Sequence, residues 1–200
     1  MIDSVDALRA LYAQPKGRSL SKELRRLDAH CARFVSLAPL VVVATSGADG
    51  RIDCSPRGGE PGFVKLADEH TLLIPDSPGN NRLDSMTNVL ATGRIGLLFL
   101  VPGVDETLRV NGRARLSDEP ERLALFAGAA RAPKLAIVVA AEEAYLHCAK
   151  ALMRSKLWAA ESRNERSVLP TMGQMLNDQT GTAGPAETQE QMVARYLPDL

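Results

Sequence analysis

Hydrophobic positions along this chain follow two rhythms. Between residues 40 and 141 the apolar runs are short and set apart by turns: 40–47 (LVVVATSG), 51–56 (RIDCSP), 63–67 (FVKLA), 71–75 (TLLIP), 94–103 (RIGLLFLVPG), 107–117 (TLRVNGRARLS) and 134–141 (KLAIVVAA). Runs of this length bounded by Gly, Pro, Asp and Asn read as strands. In 107–117 the alternation is strict. Leu108, Val110, Ala114 and Leu116 fall on one side, and Thr107, Arg109, Asn111, Arg113 and Arg115 on the other, the period of a half-buried strand. Elsewhere the period is helical. It predicts helices over 3–14, 21–38, 80–91, 142–153 and about 187–196. In the second of these Leu24, Leu27, Cys31, Phe34 and Leu37 recur, and Pro39 stops the run. Gly93 ends the third, and Asp118 with Glu121 has capping-box spacing for a further helix reaching about Ala127.

The strands follow one another through short turns such as GADGR and DEH, so they pair as hairpins and not as βαβ units. This gives an α+β protein with six or seven mainly antiparallel strands, barrel-like or sandwich-like, and peripheral helices. No G-x-G-x-x-G follows the first strand, which argues against a Rossmann fold.

Charge narrows the partners. Lys plus Arg and Asp plus Glu both number 24, so the electrostatic drive for nucleic-acid binding is missing. No apolar run approaches the roughly 20 residues of a membrane span. The N-terminus is acidic and amphipathic, unlike a secretory leader. Three dispersed cysteines, Cys31, Cys54 and Cys148, suit a reduced, cytoplasmic chain. The histidines, His30, His70 and His147, do not cluster with cysteines at zinc spacing, so no metal is expected. No G-x-S-x-G, P-loop or H-E-x-x-H is present, and no catalytic residue is assigned.

Two stretches carry candidate chemistry. In PDSPGNNR (75–82) a strand gives way to a turn and then a helix, with Asn80, Asn81 and Arg82 at the helix start. Unpaired N–H groups at a helix N-terminus suit a phosphate, and a cation in the first turn opposes the helix dipole unless an anion compensates it. The alternative is an ordinary Asn cap beside a solvated Arg. In DCSPRGGEPG (53–62), Ser55 and Arg57 stand where a strand meets a Gly-rich loop. A hydroxyl and a guanidinium there suit phosphate or a ring carbonyl; the alternative is a turn with a surface Arg. The three arginines of 107–117 read either as a solvated sheet face or as partners of acidic groups elsewhere, with Thr107 and Arg109 nearest the turn.

The ordered set SPRG, PGNNR, PG..ETLRVNG and HC.KA...S.LW resembles the pyridoxamine 5′-phosphate oxidase-like superfamily of FMN-binding split barrels, in an uncharacterised bacterial branch. The match covers about residues 35–160. The resemblance implies a split barrel over 39–160, an N-terminal helical segment 1–38 packed on it, and a C-terminal extension 161–200. It implies a homodimer with FMN at the subunit interface. Ser55 and Arg57 would run along the flavin, Asn80, Asn81 and Arg82 would grip its phosphate, Ile74 and Pro75 would lie beside the ring, and Lys156 and Trp158 would approach it near the interface. It also implies an oxidoreductase acting on a small molecule. True pyridoxamine phosphate oxidases end in a basic Arg-x-His element. This chain has no His after His147, so vitamin B6 oxidation is not expected. The other readings are a flavin or deazaflavin module without turnover, a haem site using His147, and an interaction protein working through its terminal helices.

Overall fold

The computed structural model describes residues 1–17 and 21–199; residues 18–20 and 200 of the expected terminal segments lie outside the described residues. The chain forms two compact units, Met1–Ser155 and Lys156–Leu200.

The first unit is built on seven strands: β1 (Leu40–Ser46), β2 (Ile52–Gly58), β3 (Lys65–Asp68), β4 (Thr71–Pro75), β5 (Arg94–Leu100), β6 (Thr107–Ser117) and β7 (Ala136–His147). They form one sheet in the order β2-β1-β5-β6-β7-β4-β3, and every pairing is antiparallel. The expected α+β class and strand set are thus observed. Alternation places Val41, Val43, Leu97, Phe99, Leu108 and Val110 in the core, nearly all fully buried. Each such side chain contributes roughly 1.5–3 kcal/mol by leaving water.

The structure departs from these expectations in several places. Residues 142–147 belong to β7, and a helix, α5 (Lys150–Ser155), starts only afterwards. The spacing of EEAYLH fits a helix, but its backbone groups pair with Thr107–Asn111 of β6; long-range pairing overrides the local period. The second helix is shorter than expected. It is α2, Ala29–Leu37, against the expected 21–38, and the first helix, α1 (Val5–Arg9), is likewise shorter than the expected 3–14 and has no buried residue. Asp28 caps α2 by accepting the Cys31 N–H at 2.8 Å, and that hydrogen bond lowers the Asp28 carboxyl below its usual range. Leu24 instead bridges to β7, exchanging two backbone hydrogen bonds with Ala144, and Leu27 N–H donates to the Glu69 carbonyl in the β3–β4 turn. The Asp118–Glu121 capping box is also absent: α4 (Pro120–Leu123) starts from Glu119 with no side-chain cap, and Ser117 Oγ accepts the Glu119 N–H. Pro120 at the first helical position needs no N–H partner.

The β6–β7 register slips once, with Glu142 as the extra residue between the Asn111–Glu143 and Gly112–Ala141 pairs. A Cβ on Gly112 would lie 2.0 Å from the Ala140 carbonyl oxygen. The glycine of the RVNG motif is therefore dictated by packing.

The second unit contains α6 (Met172–Thr180) and α7 (Gln189–Tyr196), each N-capped by a threonine; α7 carries a full Thr188–Gln191 capping box. The pattern anticipated α7 but not α6. No described residue of this unit is buried, and among the described residues no helix is long and apolar enough to cross a membrane.

The cysteines differ in reactivity. Cys31 is 2% exposed, and burial pushes its thiol pKa up to about 11, whereas Cys54 and Cys148 are exposed. Thiolate is the reactive form. An aromatic disulfide reagent at pH 8 should thus modify two thiols rapidly and the third only on unfolding. Three fast thiols in the native protein would contradict this.

Candidate functional site

On the edge strand β2, Asp53, Ser55 and Arg57 share one face, since side chains alternate along a strand. Their cross-strand partners are Thr45, Val43 and Val41, all buried. The same side of the sheet is covered by α3 (Asp84–Thr92), which buries Ser85 and Val89. Asn88 of α3 donates to Thr45 Oγ1 at 3.1 Å, fixing the helix over the β1–β2 hairpin.

The first turn of α3 meets the end of β2 in a polar cluster. Arg57 Nη1 donates to Ser55 Oγ at 2.9 Å and to the Pro56 carbonyl at 2.9 Å, and its Nη2 donates to Ser85 Oγ at 3.0 Å. Ser85 Oγ donates to Asp53 Oδ2 at 2.5 Å and lies 3.1 Å from Ser55 Oγ. Ser85 is 3% exposed. The SPRG strand end and the segment after PGNNR, about thirty residues apart in sequence, are therefore brought together through Ser85. No spacing or motif in the chain singles out Ser85. Asp53 was accessible in principle from its i, i+2 spacing to Ser55.

The turn 76–83 carries the amide candidates. Asn80 Oδ1 accepts the Arg82 N–H at 3.1 Å. Asn81 and Leu83 both have φ 58°, a conformation a leucine adopts only at a cost of order 1–3 kcal/mol. The helix begins at Asp84, with Leu83 as cap residue, so neither Asn80 nor Asn81 caps it and Arg82 lies outside its first turn. Arg82 Nε donates to Asp84 Oδ2 at 2.8 Å on an exposed surface. Asp84 is thus the partner of Arg82 at the helix start.

The remaining candidates are spread out. Ile74 is fully buried in the core, and Pro75 is half-buried at the end of β4. Lys156 and Trp158 fall in the second unit, where Lys156 is exposed, 3.8 Å from Glu161. Of the β6 arginines, Arg109 pairs with Glu143 and lies 4.3 Å from the Tyr145 ring centroid, while Arg113 is 3.7 Å from Glu142. Acidic partners from β7 account for both. Burial, then Arg109 and Lys22, lower the His147 pKa below the usual imidazole value.

The sequence model of pyridoxamine 5′-phosphate oxidase matches residues 27–148, well over half of the chain. The chain belongs to the pyridoxamine 5′-phosphate oxidase family. The matched segment contains the whole seven-stranded sheet and α3. Solved structures share this family fold at low identity. HupZ of Group A Streptococcus, as a point variant and as the parent, is 18% identical, with TM-scores of 0.51 and 0.50. The alignments cover 60% of this chain and 99% and 92% of those chains. A putative pyridoxamine 5′-phosphate oxidase of Lactobacillus delbrueckii is 18% identical with a TM-score of 0.48, covering 62% of this chain and 98% of that one. No curated protein matches the chain in sequence.

Proposed function

We propose that this family member binds FMN, with the flavin phosphate at the junction of β2 and α3, and uses it for redox chemistry on a small molecule. The observation that carries the reading is the meeting of Arg57, Ser55 and Ser85 at the N-terminus of α3. The donor set there fits a phosphate ester. Among the described residues Arg57 forms no ion pair, its guanidinium rests on neutral oxygens, and the N-terminus of α3, which leaves N–H groups unpaired, adjoins it through Ser85. Asn80, Asn81 and Arg82 on the adjoining turn would close over the phosphate, and Pro75 would border the ring. When bound, FMN supplies hydride transfer at its ring, while the protein supplies position and electrostatics.

A homodimer with the cofactor at its interface completes the proposal. Leu40, Val42, Leu98 and Leu100 lie together on the opposite face of the sheet and are only half-buried in the single chain, which supports pairing with a second copy. The free cysteines support a reducing, cytoplasmic setting.

The test is a visible absorption spectrum recorded after FMN is added and the excess removed, with light scattering on the same sample. Stoichiometric flavin on a dimer is the expected result. A colourless protein would sink the cofactor reading, and a monomer at micromolar concentration would sink the interfacial site. Anaerobic NADH or NADPH should bleach the bound flavin; unreduced flavin would mean a flavin-binding module without turnover.

A further inference from the structure

We infer that Asp53 and Ser85 form a positioning relay that keeps Arg57 available to an anion, and that this relay sets the preference for phosphorylated over unphosphorylated flavin. The inference rests on the FMN reading above. Neither residue need touch the flavin.

The direction of the hydrogen bonds carries the argument. An ionised carboxylate only accepts, so the Ser85 hydroxyl proton points at Asp53 Oδ2. With its one proton committed, Ser85 Oγ accepts from Arg57 Nη2 and from Ser55 Oγ. Ser55 Oγ accepts from Arg57 Nη1, and its own proton is shared between Ser85 Oγ and Asp53 Oδ2, the latter 3.4 Å away. The order therefore runs from Arg57 through the two hydroxyls to Asp53, and such chains polarise their members in a half-buried setting. The guanidinium is held on two sides by neutral oxygens. Arg82, Arg109, Arg122 and Arg195, by contrast, all sit directly on carboxylates.

Without the Ser85 hydroxyl, the guanidinium would close on Asp53. An arginine paired with a carboxylate in a partly buried site is strongly held, and its charge is then no longer available to a phosphate. The relay thus insulates Arg57 from the nearest acid while fixing its direction. Riboflavin has the flavin ring without the phosphate, so its affinity reports the ring site alone and separates the relay from a general structural role.

The experiment titrates wild type, Ser85→Ala, Ser85→Thr and the double variant Asp53→Asn/Ser85→Ala with FMN and with riboflavin, by flavin fluorescence quenching. Wild type should prefer FMN. Ser85→Ala should lower the FMN-to-riboflavin affinity ratio at least tenfold while leaving riboflavin affinity within twofold. Ser85→Thr keeps the hydroxyl and should retain the ratio. The double variant should recover part of it, because a neutral amide cannot capture the guanidinium. A Ser85→Ala protein with an unchanged ratio, or with both affinities falling in parallel, overturns the relay. Should Ser85→Ala fail to fold, Ser85→Cys, which keeps the volume but replaces the hydroxyl by a weak thiol donor and acceptor, carries the same expectation and the same refutation. A wild type that shows no preference for FMN refutes the phosphate site itself and takes the relay with it.

Discussion

Gly112→Ala should remove about 4 kcal/mol or more of stability, the largest loss expected from a single methyl group in this chain. The added Cβ would lie 2.0 Å from the Ala140 carbonyl oxygen, 3.0 Å from its carbon and 3.2 Å from the Glu142 nitrogen. All three are backbone atoms, so no side chain can swing aside. Relief would require β6 and β7 to separate at the bulge, where the ladder changes register. The flanking residues Val110, Val139 and Ala141 are buried in the main core, so separation would also open apolar packing. Gly128→Ala is the control. Nothing lies within 4 Å of a Cβ there, and no positive φ requires glycine, so the change should stay within about 0.5 kcal/mol. Urea unfolding of the two variants beside wild type decides the matter. Equal midpoints would show that the sheet yields at the bulge.

That glycine marks where a sequence can and cannot be read. The strands of the sheet announced themselves as short apolar runs bounded by turn residues, and β6 by strict alternation as well, since a face buried in a sheet leaves a period of two in the chain. The end of β7 did not. Residues 142–147 contain Ala, Tyr and Leu at spacings that serve either period, and only the edge of β6 decides between them. The N-terminal segment failed for a related reason: Leu24 fits the helical repeat, yet its backbone groups pair with Ala144. Asp28 was a visible stop for that repeat, because an aspartate before an apolar run is a cap as readily as a member of a helix. For the candidate site, Ser55 and Arg57 stand out by their place at the end of a strand and are brought together. Ser85 could not be found by spacing, since its role comes from α3 lying over β2. Arg82 shows the converse. Its position reads as the first turn of a helix, but the helix begins four residues later than the period suggests, at Asp84, and Arg82 lies before it as that residue's partner.

Arg57→Ala should cost about 2–3 kcal/mol of FMN binding, a factor of roughly 30–150 in Kd, whereas Arg82→Ala should cost about 1 kcal/mol or less. Both are arginines beside the same helix N-terminus, and both belong to motifs that carry the family resemblance. They differ in what already holds them. Arg82 is exposed and spends its Nε on Asp84, so a phosphate must compete with that carboxylate and with water. Arg57 is half-buried and bonded to neutral oxygens, so a phosphate gains a charge-assisted hydrogen bond without breaking an ion pair. Thermal unfolding of the flavin-free variants guards against a trivial cause, since a variant melting far below wild type would report lost structure and not a lost contact. If Arg82→Ala weakens FMN more than Arg57→Ala does, the phosphate sits over the turn 76–83 and not over the end of β2. The order of the two losses therefore locates the anion, because each guanidinium is fixed to a different element: Arg57 to the sheet through Ser55, and Arg82 to the helix through Asp84.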